Sequence, residues 1–363
     1  MSFFGSYRQD DVAFLLKRLP QQPFVDITLK ERLIQSGTRH YSEMLSPETL
    51  PSARYLQVFE NAYAANRQQM ARDCWSLAAL IAEQRSGAIT LVSLVRAGTP
   101  VGVILKHLLQ RVMGRSVAHY SVSIIRDRGI DAVALRHILQ QGHAPDSLVF
   151  IDGWTGKGVI ARVLEQAVSD FNRCHDVKID SGLYVLSDLA GAARCAASST
   201  DYLIPSSILN ATVSGLVSRS VLNESVGPGD FHGCVYYQEF ERHDLSRAFA
   251  DGLIADAIAL AERGSQAKAV QIDRARAAKI SAEFLQATMA RHGIGDVNLI
   301  KPGIGEATRV LLRRVPRLLL LRDSAAPDIA HLKVLATEKS VPLIVDANLP
   351  YQAVSLIRST LDG

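Results

Sequence analysis

Ser147-Leu-Val-Phe-Ile-Asp152-Gly-Trp-Thr-Gly-Lys-Gly158 is the stretch whose reading decides the fold. Val149, Phe150 and Ile151 suit a central strand, and the run ends in an acid followed by a glycine-rich turn. Thr155, Gly156, Lys157 and Gly158 can present backbone N–H groups to an anion at the start of a helix expected near Val159. Asp152 then falls at the carboxyl end of the strand, where open α/β sheets hold their ligands. An ordinary strand-turn-helix connection has the same letters, so the neighbouring segments carry the decision.

A second unit of the same kind lies upstream. Ile89-Thr-Leu-Val-Ser-Leu-Val runs into Arg96-Ala-Gly98-Thr-Pro100-Val-Gly102, and a helix is expected from about Val103. Arg96 offers a planar fork to a phosphate, and Gly98 and Gly102 allow close backbone approach. A third strand, Ala118 to Ile125, leads into Arg126-Asp-Arg-Gly-Ile-Asp131, a charged turn placed to line a site. Leu183-Tyr-Val-Leu-Ser-Asp188 reads as another strand ending in an acid. Strands alternating with helical segments indicate an α/β fold with a doubly wound, mostly parallel sheet.

Around this frame, residues 8–19 are expected to form a short capped helix, and His40-Tyr41-Ser-Glu-Met44 an irregular loop or active-site flap. Asn210, Ser214, Ser218 and Arg219 recur at helical spacing and suit one polar face turned to a ligand, or ordinary capping. From about Val297 a small α/β sandwich is expected, with strands near 297–300, 318–322 and 342–345 and a last helix. The expected organisation is a main domain over residues 1–261, a helical connector over 262–292 and a C-terminal domain over 293–363.

The chain has 363 residues, 48% apolar and 21% charged, which is enough for two domains and a large core. Cys74, Cys174, Cys195 and Cys234 are scattered without C-x-x-C pairing, which argues against a zinc site or a disulfide framework and suits a reducing cytoplasm. No run approaches a membrane span and no leader pattern opens the sequence, so an unexported protein with no membrane partner is expected. Residues 262–363 carry 15 Lys and Arg against 10 Asp and Glu, a basic excess that is a mild hint of nucleic acid and that a solvated basic face explains better on charge alone.

The loops at 94–102 and 148–158 resemble those of the type I phosphoribosyltransferases. The resemblance implies that Arg96, Ala97, Gly98 and Thr99 meet pyrophosphate, that Asp152 holds the ribose, and that Thr155, Gly156, Lys157 and Gly158 surround the 5-phosphate of phosphoribosyl pyrophosphate. Gly153 stands where most members carry a second acid, so Mg²⁺ would meet Asp152 only through the ligand. Longer runs, among them Gln35-Ser-Gly, His40-Tyr-Ser-Glu-Met, Leu94-Val-Arg-Ala-Gly-Thr-Pro, Ser123 to Asp131, Asp152 to Gly158 and Leu203-Ile-Pro-Ser, are similar to a bacterial phosphoribosyltransferase-like family. That family is found with tellurium-resistance stress operons, is also labelled StiP and carries a cysteine protease name; the likeness covers roughly residues 7–260. Gly303-Ile-Gly-Glu306-Ala-Thr-Arg309 is similar to the helix start of Pelota and kink-turn RNA-binding domains, with Gly305 in place of the family's Asn.

Three functions follow as expectations. The first is a Mg²⁺-assisted phosphoribosyltransferase acting on a nucleoside-like stress metabolite, with Arg96 and Asp152 catalytic and with His40, Tyr41, Arg126, Asp127, Arg128, Asp131, Asn210 and Arg219 as lid or substrate residues. RNA would bind through Gly303, Glu306 and Arg309, and a homodimer would be compatible. The second is a non-enzymatic RNA-binding regulator that senses a phosphoribosyl ligand. The third is the cysteine protease of the family label, for which no thiol shows a neighbouring base: Cys74 and Cys174 read as helical, Cys195 as part of an Ala-rich helix, and Cys234 as a strand residue two positions from His232.

Overall fold

The computed structural model describes residues 3–21, 24–46, 48–265, 267 and 272–359, so Met1 and Ser2 of the segment read as lacking a leader lie outside it. In chain order the first elements are β1 (Ala13–Leu15), β2 (Lys17–Leu19), α1 (Ile27–Gln35), α2 (Ala53–Gln84), β3 (Ile89–Leu94), α3 (Gly98–Arg111) and β4 (Val117–Val122). Next come β5 (Ile124–Ile125), β6 (Gly129–Ile130), α4 (Ala132–Gln140), β7 (Leu148–Thr155), α5 (Val159–His175), β8 (Leu183–Asp188), β9 (Cys195–Ser198) and β10 (Gly233–Val235). The last are α6 (Ser246–Glu262), α7 (Arg274–His292), β11 (Ile300–Pro302), α8 (Ile304–Arg313), β12 (Pro316–Leu321), α9 (Ala330–Glu338), β13 (Leu343–Val345) and β14 (Ala353–Ile357).

The protein is a mixed α/β chain with a mostly parallel central sheet. Six strands lie in the order β1-β4-β3-β7-β8-β9, each pair parallel. The period of two along each strand sorts the core. Leu91, Val149, Ile151 and Tyr184 pack with α2, α3 and α6, while Val92, Phe150 and Val185 pack with α4 and α5. Burial on both faces explains why β3 is apolar or small along its whole length.

The C-terminal unit is a second sheet, β11-β14-β12-β13, in which β14 runs antiparallel to both of its neighbours. Its α8 turns Ile304, Ala307 and Leu311 into the same apolar cluster as Tyr202, Leu203 and Phe59 of the first unit. Apolar burial therefore joins the two units.

Four sequence expectations need correction. Residues 8–19 hold two short strands instead of a helix, because β1 joins β4 and β2 joins β10, partners a hundred or more residues away. Cys195 opens β9 and is not helical. Asn210 to Arg219 contains a short 3-10 turn at Ala211–Val213 and no helix, so there is no helical polar face. The last element is β14, which fills the gap between β11 and β12, where a helix was expected.

Candidate anion-binding cleft

A cavity of ≈ 300 Å³ opens between the two units beyond β3 and β7. The first unit contributes Tyr41, Arg96, Arg126, Asp152, Trp154, the Thr155–Gly158 turn and Arg219; the second contributes Lys301, Pro302, Glu306, Arg309, Arg313 and Arg314. Eight cationic side chains thus face two carboxylates. Two more acids stand behind them: Glu48 binds Arg96, and Glu31 takes a two-point contact from Arg314. Arg219 and Arg313 make no hydrogen bond or salt bridge among the described residues, although the Glu48 charge acts on both. Burial and the Arg96 charge bring the Arg313 guanidinium down to about 9.

Arg96 lies two residues beyond the carboxyl end of β3. Its Nη1 donates to both Glu48 oxygens, at 2.7 and 2.9 Å, and to the Val217 carbonyl at 3.2 Å, and its Nη2 has no partner. Burial works to raise the Glu48 carboxyl, but the charges of Arg96 and Arg313 and the Ala211 N–H outweigh it and hold the group below the usual range. The expected pyrophosphate loop is otherwise turned inward. Thr99 Oγ1 pairs with Ser121 Oγ at 2.7 Å, and a side chain on Gly98 would place its Cβ 2.3 Å from the Ile151 carbonyl oxygen, so both residues serve the packing of α3 on β7. Neither lines the cavity, and Ala97 borders only a smaller recess behind Arg96.

Asp152 lies within β7 opposite Val185, three residues before the strand ends, and faces the cavity. Its Oδ1 accepts from the Gly153 N–H at 2.8 Å. Burial raises its carboxyl to about 6 against the opposing pull of Arg309, which makes it the one acid in the cleft able to exchange a proton near neutral pH.

The Thr155–Gly158 turn has the backbone geometry expected of it but a different occupant. Gly158 adopts φ +71° and its N–H donates to Thr155 Oγ1 at 3.0 Å at the start of α5. Lys157 Nζ donates to the carbonyls of Val297 at 2.7 Å and Ile300 at 3.0 Å. Burial and the Lys301 charge lower its ammonium to about 7. A Cβ on Gly156 would sit 2.6 Å from the Pro302 carbonyl oxygen. The turn still lines the cavity, but its Lys157 ammonium and its Gly156 backbone meet the second unit.

Of the expected lid residues, Tyr41, Arg126 and Arg219 reach the cavity. Tyr41 OH accepts from the Arg126 N–H at 2.7 Å, and the Arg126 guanidinium lies 5.4 Å from the Tyr41 ring centre. His40 caps a 3-10 turn through Ser42, Asp127 pairs with Arg126 at 3.1 Å, and Arg128 pairs with Glu43. Asp131 caps α4 and accepts from the His232 N–H at 2.6 Å, a structural role. Asn210 caps its turn, donates to the Thr49 carbonyl at 2.7 Å and borders the recess.

The helix start read as an RNA motif faces into the same cleft. Arg309 lies 4.5 Å over the Trp154 ring and pairs with Glu306 at 2.6 Å. Gly303 takes φ +90°, and the next residue's N–H donates to Asp201 Oδ1 at 3.0 Å. Gly305 has a reason to depart from Asn: a Cβ there would lie 2.5 Å from Trp154 Cε2. Lys301, Arg313, Arg314, Trp154, Glu31 and Glu48 were not expected at the site. The Arg313-Arg314 doublet ending an amphipathic helix was a usable signal, whereas Glu48, in a Ser-Pro-Glu-Thr stretch, offered none.

No cysteine lines the cleft. The Cys74 and Cys234 thiols are buried and pushed up by that burial, Cys234 to about 12. Cys195 is half-buried near Gln84 and Cys174 is exposed on α5. Among the described residues, no group of three or more His, Cys, Asp and Glu could hold a metal, and no helix is long and apolar enough to cross a membrane.

Residues 5–254 match the family described as tellurite-like stress resistance cysteine protease StiP. The chain belongs to the StiP family. A StiP relative from Acinetobacter baylyi, named cysteine protease StiP, is 41% identical over 375 residues, covering 99% of this chain and 96% of the relative. Residues 279–359 match the PELOTA RNA binding domain, which supports RNA binding by the second unit. These matches overturn the expected phosphoribosyltransferase activity: the full-length StiP relative bears the name of a hydrolase.

Proposed function

We propose that this chain binds a phosphorylated ligand of nucleotide or RNA-end size in the cleft between its two units. What supports the reading is the charge of the cavity, eight cationic side chains against Asp152 and Glu306, next to a helix start that matches an RNA-binding domain. Trp154 and Tyr41 add aromatic faces on which a base can stack. Asp152 is the group placed to move a proton on the bound ligand. A divalent metal enters only as a counter-ion carried by the ligand, since Glu306 is committed to Arg309 and Asp152 stands alone. As architecture without the activity, the type I phosphoribosyltransferase-like arrangement is part of the proposal, resting on the parallel sheet with helices on both faces. The test is calorimetric titration of the full chain with short oligoribonucleotides and nucleotides: Arg219→Ala and Arg313→Ala should each weaken binding about tenfold or more. Binding unaffected by either substitution would remove the cleft from the reading.

The relative's name favours a second reading, peptide hydrolysis by a thiol. That chemistry needs a thiolate and a neighbouring base. Cys174 and Cys195 are the thiols with access, and neither has a histidine hydrogen-bonded to it among the described residues. Peptidase activity that disappears in Cys174→Ser or Cys195→Ser would establish this reading; activity that survives both would end it.

A further inference from the structure

Lys301, Arg309, Arg313 and Arg314 belong to the unit that matches an RNA binding domain, and all four line the cleft, turned toward the first unit. Three contacts that RNA would offer this face come instead from the first unit. A phosphate commonly takes the free N–H groups at a helix start. At the start of α8 the Ile304 N–H donates to Asp201 Oδ1 at 3.0 Å, and the Gln352 N–H donates to Oδ2 of the same carboxylate at 2.8 Å. A phosphate also takes the fork of an arginine. Arg314 uses its Nε and Nη2 on the two oxygens of Glu31 in α1. A base stacks on a guanidinium plane. Arg309 lies 4.5 Å from the centre of the Trp154 ring, and a Cβ on Gly305 would come within 2.5 Å of that ring.

We propose that the first unit covers the RNA-binding face of the second, with Asp201 and Glu31 standing in for phosphates and Trp154 for a base. RNA too large to enter the ≈ 300 Å³ cleft then binds only when the units part. Parting has a cost, because Ile304, Ala307 and Leu311 of α8 share an apolar cluster with Phe59, Tyr202 and Leu203. The apparent affinity for such RNA is that of the open chain reduced by the fraction that is open, so each seam contact removed raises it. Apolar packing alone would hold the units together. The two carboxylates, set on groups that also bind phosphate, are what make closure compete with RNA. The competition needs no ligand in the cleft, and its failure leaves the reading of the cleft standing.

The experiment measures the affinity of the full chain for a labelled RNA hairpin by fluorescence anisotropy at one salt concentration. Asp201→Asn and Glu31→Gln should each bind the hairpin at least about fivefold more tightly than wild type, because each weakens a charge-assisted contact made only in the closed form. Asp170→Asn removes an exposed acid of α5 that pairs with Arg173, and it should stay within about twofold of wild type. The separation of the units is read in a Cys195→Ser background by spin labels on Cys174 and on Lys333→Cys, exposed positions of α5 and α9. Bound hairpin should lengthen that distance, a reading that does not depend on the seam variants folding. Seam variants that bind no more tightly than wild type overturn the proposal, as does an equal gain from Asp170→Asn. A hairpin complex with the label distance unchanged, or no hairpin binding by any of these chains, overturns it as well.

Discussion

Glu48→Gln tests how the cleft holds its charge. Glu48 accepts from Arg96 at 2.7 and 2.9 Å and from the Ala211 N–H at 3.0 Å, and the two charged side chains are 8% and 10% exposed. Glutamine keeps the shape and an acceptor, so the substitution isolates the charge. Arg96 then remains buried close to Arg219 and Arg313 with no counter-charge. Removing one partner of a buried pair costs about 3–5 kcal/mol. The amide oxygen recovers about 1 kcal/mol as a neutral acceptor, which leaves about 2–4 kcal/mol. At about 2 °C per kcal/mol for a chain of this size, the melting temperature should fall by about 4–8 °C. An anion in the cleft can take over as counter-charge: inorganic phosphate at about a hundred times its dissociation constant returns about 2.7 kcal/mol. Calorimetric melts of both chains at low salt, with and without phosphate, give the answer. Phosphate should raise the variant more than the wild type. A variant that melts within about 1 °C of wild type, or gains no more from phosphate, would refute the assignment of Glu48 as the counter-charge.

Asp152→Asn separates burial from function. Its carboxyl lies at about 6 in the folded chain and near 3.8 when free, so the fold favours the protonated form and loses stability as pH rises between those values. The asparagine variant should therefore be more stable than wild type at pH 8, by up to roughly 3 kcal/mol, and equally stable at pH 4; the reverse order in thermal melts would contradict the burial argument. Lys157 and Lys301, lowered by burial to about 7 and about 8, lose their protons as pH rises through that window. Ligand affinity should fall across it, with proton uptake on binding measured by calorimetry in buffers of different ionisation heat, and a flat profile would show that the charge of neither lysine acts on the anion. Arg219→Ala should lower the salt slope of oligoribonucleotide binding by about 0.7, the value of one single-strand phosphate contact, and an unchanged slope would exclude such a contact. Gly156→Ala should loosen the seam between the units, since its Cβ would come within 2.6 Å of the Pro302 carbonyl oxygen; solution scattering should then show a larger radius of gyration, and an identical profile would mean the contact relaxes locally.

The central sheet was legible because its strands are apolar runs that end in polar turns, and Val149 to Ile151 carry that pattern without outside help. The elements that were misread depend on distant partners. Phe14 and Leu15 become strand residues by pairing with Ser121 and Val122, and the Ala-rich segment at Cys195 becomes an edge strand beside Tyr184. The glycine-rich turn is the instructive case. Gly156, Lys157 and Gly158 announce backbone access and a cation, which an anion loop and a docking loop need equally. A local stretch states which donors it has and leaves open which acceptor will meet them. Here the acceptors of Lys157 are two backbone carbonyls more than a hundred residues away, at Val297 and Ile300, and the acid that meets Arg96 is Glu48, from the opposite direction in the chain. Internal partners take up Lys157, whereas Arg219, Lys301, Arg313 and Arg96 Nη2 have no hydrogen-bond partner among the described residues, so the proposed anion contacts fall on those side chains.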